Sequence, residues 1–461
     1  MMKQIIGHVK PDISLQDEKA ANLWYNFVVR QIREGLTAIY RQEIIQDIHL
    51  FTSQPKSRFY DELFMRLDTS VIEATKAITG NPGYPKEALF CAFIVMKCEG
   101  FTQISDLCDY LENNRLIAYY CGFDITKPLP SYWTYVRFLK NLDNSLLKKV
   151  MKQQVLHLAK LGVVDTSFIG LDSTSVKANT MQNNPKSFAP GRFSADNQPK
   201  ADRDCRIGVK VATSKEGDKD YECYWGYKNH VLCDVITGLP LFEMTTPANM
   251  HDCEVALDML RATNRFLSIR ECYFIADAAY DVKSIYNTVR NEYDGECFIP
   301  INPRNTKNPK KLPVGNLFCD AGLAMNKDGK CRSEGRYRQK FCCPFKLSSL
   351  RNDCPCNHKN FKKGKKATGC AKYVTIPDDY RLSIDRQSIH FKSIYALRTE
   401  SERYNSRFKS TGQERLWVRN AMSAENLNTL AHISLLAIAV AAVVSKSNVS
   451  YRCLKSAKRV A

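Results

Sequence analysis

The sequence lacks a long apolar run, an apolar segment at its start and an excess of acidic charge. Met1–Lys10 contain no apolar run of the kind found in signal peptides, so we expect an unsecreted protein. The most apolar stretch, Leu435–Val444, extends back to Leu427 only by crossing Asn428 and His432. It is shorter than a bilayer span, which predicts a buried helix and no membrane segment.

Acidic residues are scarce relative to basic ones: 48 Asp and Glu stand against 67 Lys and Arg, a formal net charge of +19 on 461 residues. This balance favours a polyanionic partner, because a basic surface raises the local concentration of phosphate polymers. Hydrophobic residues make up 44% and charged residues 25%. Those proportions exclude wholesale disorder and a small stapled scaffold, and the length predicts two or three domains.

The 18 cysteines do not indicate a secreted disulfide framework. Most stand singly in apolar segments, as Cys91, Cys233 and Cys272 do. Without a signal peptide, this pattern indicates reduced, buried thiols in a cytosol-like compartment.

The first 150 residues or so carry apolar side chains near helical spacing and few β-runs. Breaks at 80–83 and 127–130 divide the pattern. A plain helical bundle and a DNA-gripping module are both compatible with it. We favour a bundle whose basic face helps to bind DNA.

From about residue 165 short apolar runs alternate with helical patterns. This alternation predicts a mixed α/β layer architecture. The predicted strands are 167–172, 227–234, 239–244, 271–277 and 297–302, and the predicted helices are 253–266, 281–293, 389–410 and 424–445.

Two aspartates, Asp172 and Asp277, each stand at the end of a predicted strand. Carboxylates in such places need a partner, which can be an arginine, a backbone cap or a metal ion. Turn chemistry accounts for either aspartate taken alone. Two at equivalent positions on neighbouring strands favour a metal site, and oxygen ligands suit Mg²⁺ or Mn²⁺.

The predicted helix around residue 400 offers a third acid. At about 100° per residue, Tyr395, Arg398, Glu402 and Lys409 share one narrow face, while Glu400 points roughly 140° away. A surface helix with an Arg398–Glu402 i,i+4 pair is one interpretation. A metal site beside phosphates is the other, and helical geometry alone leaves both open.

The spacing Tyr395-x2-Arg398-x3-Glu402-x6-Lys409 resembles the signature of a large group of bacterial insertion-sequence transposases. The resemblance extends over roughly residues 80–445. Five further motifs agree with it in the expected order: Gly170–Thr174, Gly226–His230, Thr237–Pro240, Pro247–Asp252 and Ile275–Asp281. Together these motifs are far more specific than any one of them, and the chain is similar to a DDE transposase.

The resemblance implies an RNase H-like catalytic domain in which Asp172, Asp277 and Glu402 form a triad that binds two divalent ions, Mg²⁺ or Mn²⁺. One ion would make a water or a 3′-hydroxyl nucleophilic, and the other would stabilise the leaving oxygen of an in-line displacement. The same site would cut the transposon end by hydrolysis and then use the freed 3′-hydroxyl to attack target DNA.

The resemblance also implies the partners. Arg398 and Lys409 would hold phosphates, Arg as a planar fork and Lys as a point charge, and Tyr395 would support the helix or touch the DNA backbone. The terminal inverted repeats and the target DNA would be bound by a synaptic homodimer. We expect the protein to lie in the bacterial cytoplasm, associated with the nucleoid and not with a membrane.

Three neighbouring positions are more ambiguous. Asp281 competes with Asp277 for the role of second acid, but it opens the next predicted helix and is expected to cap it. In the resembling family the hairpin with His230 belongs to the catalytic sheet, so His230 and His251-Asp252 are candidates for the site. A buried, hydrogen-bonded histidine is the commoner outcome.

The segment 303–373 carries most of the basic charge. Its 18 Lys and Arg against four Asp and Glu give a net +14, which leaves +5 for the rest of the chain. It also holds seven of the 18 cysteines. We interpret it as an insertion with its own small fold, placed between the second and third acids.

The insertion has residue types suited to a structural zinc site. The spacing is irregular and has no C-x2-C knuckle, so zinc and free thiols are both open interpretations. The candidate ligands are Cys342, Cys343, Cys354, Cys356, His358 and Cys370, with Cys319 and Cys331 nearby.

A lysine run in the same insertion comprises Lys362, Lys363, Lys365 and Lys366. Such runs are often merely solvated. Beside a metal site on a transposase, contact with the DNA backbone is favoured.

These patterns predict five segments. They are a helical, DNA-binding domain at 1–155, the first part of the RNase H-like domain at 165–302, the Cys-rich insertion at 303–375, the final part with the Glu402 helix at 376–446 and a basic tail at 447–461. An active transposase is the first hypothesis. A non-catalytic DNA-binding descendant and an RNase H-like nuclease without strand transfer are the alternatives, and the presence of all three acids argues against the former.

Overall fold

The computed structural model describes residues 52–72, 83–187, 190–213, 219–302, 317–333, 336–346, 369–375 and 380–445. The chain divides into two compact units, a first unit of 1–275 with 397–461 and a second unit of 276–396. The five segments predicted from the sequence stay predictions. The two units are defined by which residues pack together, whereas the five segments were defined by their expected functions.

Helices open the described part of the first unit, as the sequence predicts for it. Gly100 and Gly122 end two of them with left-handed φ angles of 75° and 99°, a conformation that favours glycine at a helix C-terminus. Residues 1–51 lie outside the described part. The helices are α1 (Pro55–Arg66), α2 (Lys86–Glu99), α3 (Ile104–Asn113), α4 (Arg115–Cys121), α5 (Tyr132–Asn141) and α6 (Asn144–Lys160).

A sheet follows, with the strand order β2-β3-β1-β5 and with β4 paired to β3. The predicted hairpin is confirmed, because Asp234 at the end of β3 lies opposite Leu239 at the start of β4. The chain turns between them at Gly238, whose φ of 66° is left-handed. The elements are β1 (Phe168–Lys177), β2 (Arg206–Thr213), β3 (Lys219–Asp234), β4 (Leu239–Pro247), α7 (Asp252–Asn264) and β5 (Tyr273–Ala276).

The centre of the first unit is α11 (Ala421–Val444), which packs against α1, α2, α5, α6 and β4. This confirms the predicted buried helix. The helix has 24 residues and is longer than the apolar run 435–444. Its length and composition alone would allow it to cross a membrane. In this fold 78% of its most apolar window is buried inside the protein.

The second unit contains a small antiparallel sheet, with the order β7-β8-β9. A compact apolar cluster that includes Leu317, Met325 and Phe341 accompanies this sheet. Of the predicted insertion, residues 303–316, 334–335 and 347–368 lie outside the described part. The elements of this unit are α8 (Lys283–Tyr293), β6 (Glu296–Phe298), β7 (Asn326–Ser333), β8 (Arg336–Cys342), β9 (Ala371–Thr375) and α9 (Ile389–Tyr395).

The prediction of a single helix over 389–410 is wrong, because the structure has two helices there. The first, α9, ends at Tyr395, and α10 (Arg398–Phe408) begins three residues later. A π-helical turn, Lys409–Gln413, follows α10. Gly412 in this turn has a φ of 87°, and a Cβ there would lie 2.7 Å from the Phe101 carbonyl oxygen. The turn therefore needs glycine for both conformation and space.

Candidate catalytic site

Asp172 lies in the middle of β1, which corrects the prediction of a strand that ends at this acid. The strand continues to Lys177 because β1 stays paired with β3 beyond Asp172, which itself lies opposite Val231. The half-buried carboxylate accepts hydrogen bonds from Ser173 N at 2.9 Å and from Asn405 Nδ2 at 2.9 Å. Asp172 is therefore held by its own strand and by α10.

The helix α10 packs directly against β1, and Gly170 makes this approach possible. A Cβ on Gly170 would lie 2.5 Å from Ser401 Oγ of α10 and 2.3 Å from Val235 Cγ1, closer than real Cβ atoms approach. A larger residue at this position therefore requires the Ser401 and Val235 side chains to shift.

Glu402 is carried by the same part of α10. It directly follows Ser401 and precedes Asn405 by three residues, so it lies within one helical turn of a side chain that contacts Asp172. Arg398 Nη2 donates to Glu402 Oε1 at 2.7 Å, the i,i+4 pair that the sequence indicated. The first and third predicted acids thus stand on adjacent elements.

Asp277 belongs to the second unit, whereas Asp172 and Glu402 belong to the first. It directly follows β5 and caps a short 3₁₀ helix, Ala278–Tyr280, by accepting a hydrogen bond from Ala279 N at 2.8 Å. Over the described ranges, no group of three or more His, Cys, Asp or Glu is arranged to hold a metal ion. The grouping of the three acids as a triad therefore comes from the sequence signature.

Asp281 has a structural role, and its predicted role as a helix cap is wrong. The next helix, α8, starts at Lys283 after Val282. The Asp281 carboxylate is buried and accepts from Tyr286 Oη at 3.1 Å and from Asn302 N at 2.8 Å. Arg381 forms an ion pair with it at 3.3 Å. These contacts tie together distant parts of the second unit.

The predicted common face of the signature residues is broken by the end of α9. Tyr395 stacks on Phe391 within α9, with ring centroids 5.8 Å apart. Lys409 stands at the other end of α10, where it contributes to the electrostatic environment of Lys210 and Glu222. Within the predicted stripe, Arg398 and Glu402 form a direct contact.

The environment of Lys409 contains further cations. Lys177 Nζ donates to Glu222 Oε1 at 2.6 Å, and Lys210 Nζ lies 3.9 Å from Glu222 Oε2. Burial lowers the pKa of Lys210, and Lys177 and Lys409 lower it further, against the opposing effect of Glu222. The surface next to the end of α10 therefore has a small excess of positive charge, with three lysines beside two glutamates, Glu222 and Glu414.

His230 is a buried, hydrogen-bonded histidine, the commoner of the two predicted outcomes. It lies opposite Ser173, the residue after Asp172, so its side chain projects from the other face of the sheet. His230 Nε2 forms a 2.9 Å hydrogen bond with Thr246 Oγ1, and burial lowers its pKa to about 4. Asp252, the first residue of α7, accepts a hydrogen bond from Lys228 Nζ at 3.0 Å.

A buried polar network was missed from the sequence. Glu243 is fully buried and forms an ion pair with Lys148 of α6. It also accepts from Asn229 Nδ2 at 2.8 Å and from Thr429 Oγ1 at 2.7 Å. Asn229 in turn contacts His432 Nε2 at 2.9 Å. The available signal was the set of polar residues that interrupt the apolar run of α11.

The predicted zinc ligands fall partly within the described structure. Cys342, Cys343 and Cys370 are buried, and Cys343 N donates to the carbonyl oxygen of Cys370 at 2.9 Å. Zinc remains a prediction, because the other candidate ligands lie outside the described residues. Those ligands are Cys354, Cys356 and His358, and the lysines 362, 363, 365 and 366 also lie outside.

The mixed sheet with its flanking helices fits an RNase H-like domain. Two family models match the sequence: the Transposase DDE domain over residues 165–437 and the Transposase domain (DUF772) over residues 49–141. The first match spans more than half of the chain, and the chain belongs to the DDE transposase family. It is a DNA transposase.

Two solved structures show distant similarity. The chain is similar to the piggyBac transposase in a synaptic complex with hairpin DNA, with 10% identity and a TM-score of 0.37 over 89% of this chain and 77% of that one. It is also similar to the Mos1 transposase in a paired-end complex with the left transposon end, with 13% identity and a TM-score of 0.16 over 51% and 64% of the two chains. A comparison with curated proteins finds no match.

Family membership implies a divalent metal ion, and the side chains around Asp172 fit one. Asp172, Glu402 and Asn405 all offer oxygen atoms, which are the ligands that Mg²⁺ and Mn²⁺ prefer. Asn405 Oδ1 is buried and has no hydrogen-bond partner among the described residues. A buried acceptor without a protein partner is expected where a ligand completes the site.

Proposed function

We propose that this transposase cuts the ends of its insertion sequence and joins them to target DNA, with Asp172, Asp277 and Glu402 as catalytic carboxylates. The observation that carries the proposal is the contact between β1 and α10. Asn405 Nδ2 donates to Asp172 at 2.9 Å, and Glu402 precedes Asn405 by three residues on the same helix. This supports a common site for the first and third acids.

The three carboxylates would hold two divalent ions, Mg²⁺ or Mn²⁺. When bound, the ions supply a nucleophilic water or 3′-hydroxyl and stabilise the oxygen that leaves. The chain itself provides oxygen donors with restricted positions. The pairing of β1 restrains Asp172, the packing of α10 on Gly170 restrains Glu402, and the capping bond to Ala279 restrains Asp277.

DNA would approach along cationic side chains. Arg398 offers a planar fork for a phosphate and Lys409 a point charge. The positive charges of Lys177 and Lys409 both lower the pKa of Lys210, so these three lysines act on the same region of the surface. Tyr395 would support this region or touch the DNA backbone. The partners of the protein would be the terminal inverted repeats and target DNA, bound by a synaptic homodimer. The protein would be associated with the nucleoid in a bacterial cytoplasm.

The insertion would add a second contact with DNA through Lys362, Lys363, Lys365 and Lys366. Structural zinc would hold its cysteines, or they would stay free thiols. Zinc content of the purified full chain separates these cases, since one bound zinc per chain supports the former and none supports the latter.

The test supplies a donor plasmid with the candidate ends and Mg²⁺, and measures excision. The intact protein is expected to excise, whereas Asp172→Asn, Asp277→Asn and Glu402→Gln fall to background. Glu400→Gln is the matched control, because Glu400 is on the same helix but forms an ion pair with Arg403. A triad variant that excised at the intact rate would remove its residue from the site.

Target DNA in the same reaction separates the alternatives. A transposase joins the freed ends to the target, a nuclease of this fold cuts without joining, and a DNA-binding descendant binds the ends without cutting. Joining by the intact protein supports the proposal, and either of the other two outcomes rejects it.

A further inference from the structure

We infer that Asn405 is a further member of the catalytic site: its Nδ2 fixes the Asp172 carboxylate, and its Oδ1 is a neutral oxygen ligand for a divalent ion. The inference rests on the proposed function. It adds a residue that lies outside the Tyr-Arg-Glu-Lys signature.

The orientation of the Asn405 amide follows from its partner. An ionised carboxylate can only accept hydrogen bonds, so the group that faces Asp172 Oδ2 at 2.9 Å must be the Nδ2 donor. The amide oxygen is then about 2.2 Å from that nitrogen, from standard bond lengths. Oδ1 is consequently fixed close to the Asp172 carboxylate.

The oxygen of this amide is left without a protein partner. Asn405 is 9% exposed, and its Oδ1 is buried and unpartnered among the described residues. Buried amide oxygens usually accept a hydrogen bond or bind an ion. Asparagine is also a poor residue for the interior of a helix such as α10, so the position calls for a reason beyond helix formation.

The position of Asn405 is tied to that of Glu402. Residues three apart on a helix lie on neighbouring parts of one face, so the Asn405 amide and the Glu402 carboxylate project from the same side of α10. The close contact between Gly170 and Ser401 fixes how far this helix stands from β1. The neutral amide oxygen thus lies beside the Asp172 carboxylate, on the helix face that carries Glu402, without adding a further negative charge.

A purely structural tether between α10 and β1 is the competing explanation. Both explanations predict that Asn405→Ala loosens the contact with Asp172. Because a displaced Asp172 also binds metal less well, the variant that separates the explanations is Asn405→Asp. It keeps an oxygen ligand but, when ionised, cannot donate to Asp172, so only the ligand explanation predicts that it binds metal more tightly than Asn405→Ala. The decisive measurement is therefore metal binding, with excision as a second readout.

The experiment titrates the metal-free full chain with Mn²⁺ and measures the bound ion by electron paramagnetic resonance. The midpoint of thermal unfolding, measured without metal, shows whether each variant is folded. Asn405→Ala is expected to weaken Mn²⁺ binding about 10- to 100-fold, the range seen when residues around a metal are removed. Asn405→Asp keeps an oxygen there and should bind Mn²⁺ more tightly than Asn405→Ala. If Asn405→Ala does not fold, Asn405→Leu, which keeps the volume, replaces it.

Ser401→Ala is the matched control. Ser401 is on the same helix, and its hydroxyl is likewise buried without a partner among the described residues, but it faces Gly170. It should bind Mn²⁺ as the intact protein does. Intact affinity in Asn405→Ala, equal weakening in Ser401→Ala, or an Asn405→Asp variant that binds Mn²⁺ no more tightly than Asn405→Ala overturns the inference.

Asp172→Asn separates this inference from the proposed function. If Asp172→Asn weakens Mn²⁺ binding while Asn405→Ala does not, only the role of Asn405 fails. If Asp172→Asn binds Mn²⁺ and excises like the intact protein, the catalytic assignment itself fails.

Discussion

Tyr404 and His432 make two contacts with each other, a hydrogen bond and a stacking of their rings. The Tyr404 hydroxyl is hydrogen-bonded to His432 Nδ1, and the two rings stack with centroids 5.7 Å apart. On its other side, His432 Nε2 meets Asn229 Oδ1 at 2.9 Å, while the Asn229 amide donates to Glu243. Because Tyr404 follows Glu402 by two residues, these contacts connect the helix of the third acid with β3 and α11.

The buried histidines predict a loss of stability in mild acid. Burial lowers the pKa of His432 to about 4 and of His230 to about 4. A histidine whose pKa is lower in the folded protein takes up its proton mainly on unfolding. Its stabilising contribution is therefore complete above the unfolded pKa of about 6.5 and is lost as the pH falls towards 4.

Urea unfolding of the full chain at several pH values between 4.5 and 7 measures this effect. His432→Gln removes one titrating group, and the slope of unfolding free energy against pH should fall by about 1 kcal/mol per pH unit. His251→Gln is the control, because His251 is exposed. An unchanged slope in His432→Gln would mean that His432 does not stay neutral in the folded protein.

Lys148→Met should destabilise the first unit by about 3–5 kcal/mol, since it leaves the fully buried Glu243 carboxylate without its cation. Burial alone would raise the pKa of Glu243, but Lys148, His432 and hydrogen bonds lower it overall. Lys149→Met, on the exposed face of the same helix, should change the unfolding free energy little.

Adding Glu243→Gln to Lys148→Met tests the cause. The double variant should recover part of the lost stability, because no buried charge is then left unpaired. A double variant less stable than Lys148→Met would show that packing, and not the lone carboxylate, accounts for the loss.

Gly170→Ala should lower both stability, by about 1–3 kcal/mol, and excision. The added Cβ would meet Ser401 Oγ at 2.5 Å and Val235 Cγ1 at 2.3 Å, so both side chains must shift and the packing of α10 on β1 is disturbed. Combining it with Val235→Ala relieves one of the two clashes and should restore part of the stability in thermal unfolding. Full excision activity in Gly170→Ala would contradict the tight coupling of β1 and α10.

Neutralising Lys362, Lys363, Lys365 and Lys366 together should reduce the dependence of DNA affinity on salt. Each lost phosphate contact lowers the slope of log affinity against log salt concentration by about 0.9 on duplex DNA. Binding to end-containing DNA at several salt concentrations measures the slope. A slope equal to that of the intact protein would exclude the lysine run from the DNA interface.

The regular elements were predictable because their signals are local. Alternating strands and the Thr237-Gly238 turn give the hairpin of β3 and β4, and apolar spacing gives α11. The break between α9 and α10 was not predictable from a helical wheel, which assumes one continuous axis. The end of β1 was also misjudged, since its length depends on pairing with a distant strand.

The candidate site was predictable only in part, for a similar reason. The signature spacing predicts Glu402 and the Gly170–Thr174 motif predicts Asp172, but the contact of Asn405 with Asp172 depends on which strand α10 packs against. Asp281 was interpreted as a cap because its partners, Asn302 and Arg381, are distant in sequence. The polar residues of α11 were interpreted as interruptions, whereas they complete a network with Glu243.

The position of α11 after all the helices on which it packs has a consequence for protein synthesis. The helices α1, α2, α5 and α6 all pack on it, so the apolar surface that faces α11 stays uncovered until residues 421–444 have been made. Until then the nascent chain exposes that surface, and chaperones have access to it. A message cut short before residue 421 would therefore give an aggregation-prone product and not a stable DNA-binding fragment.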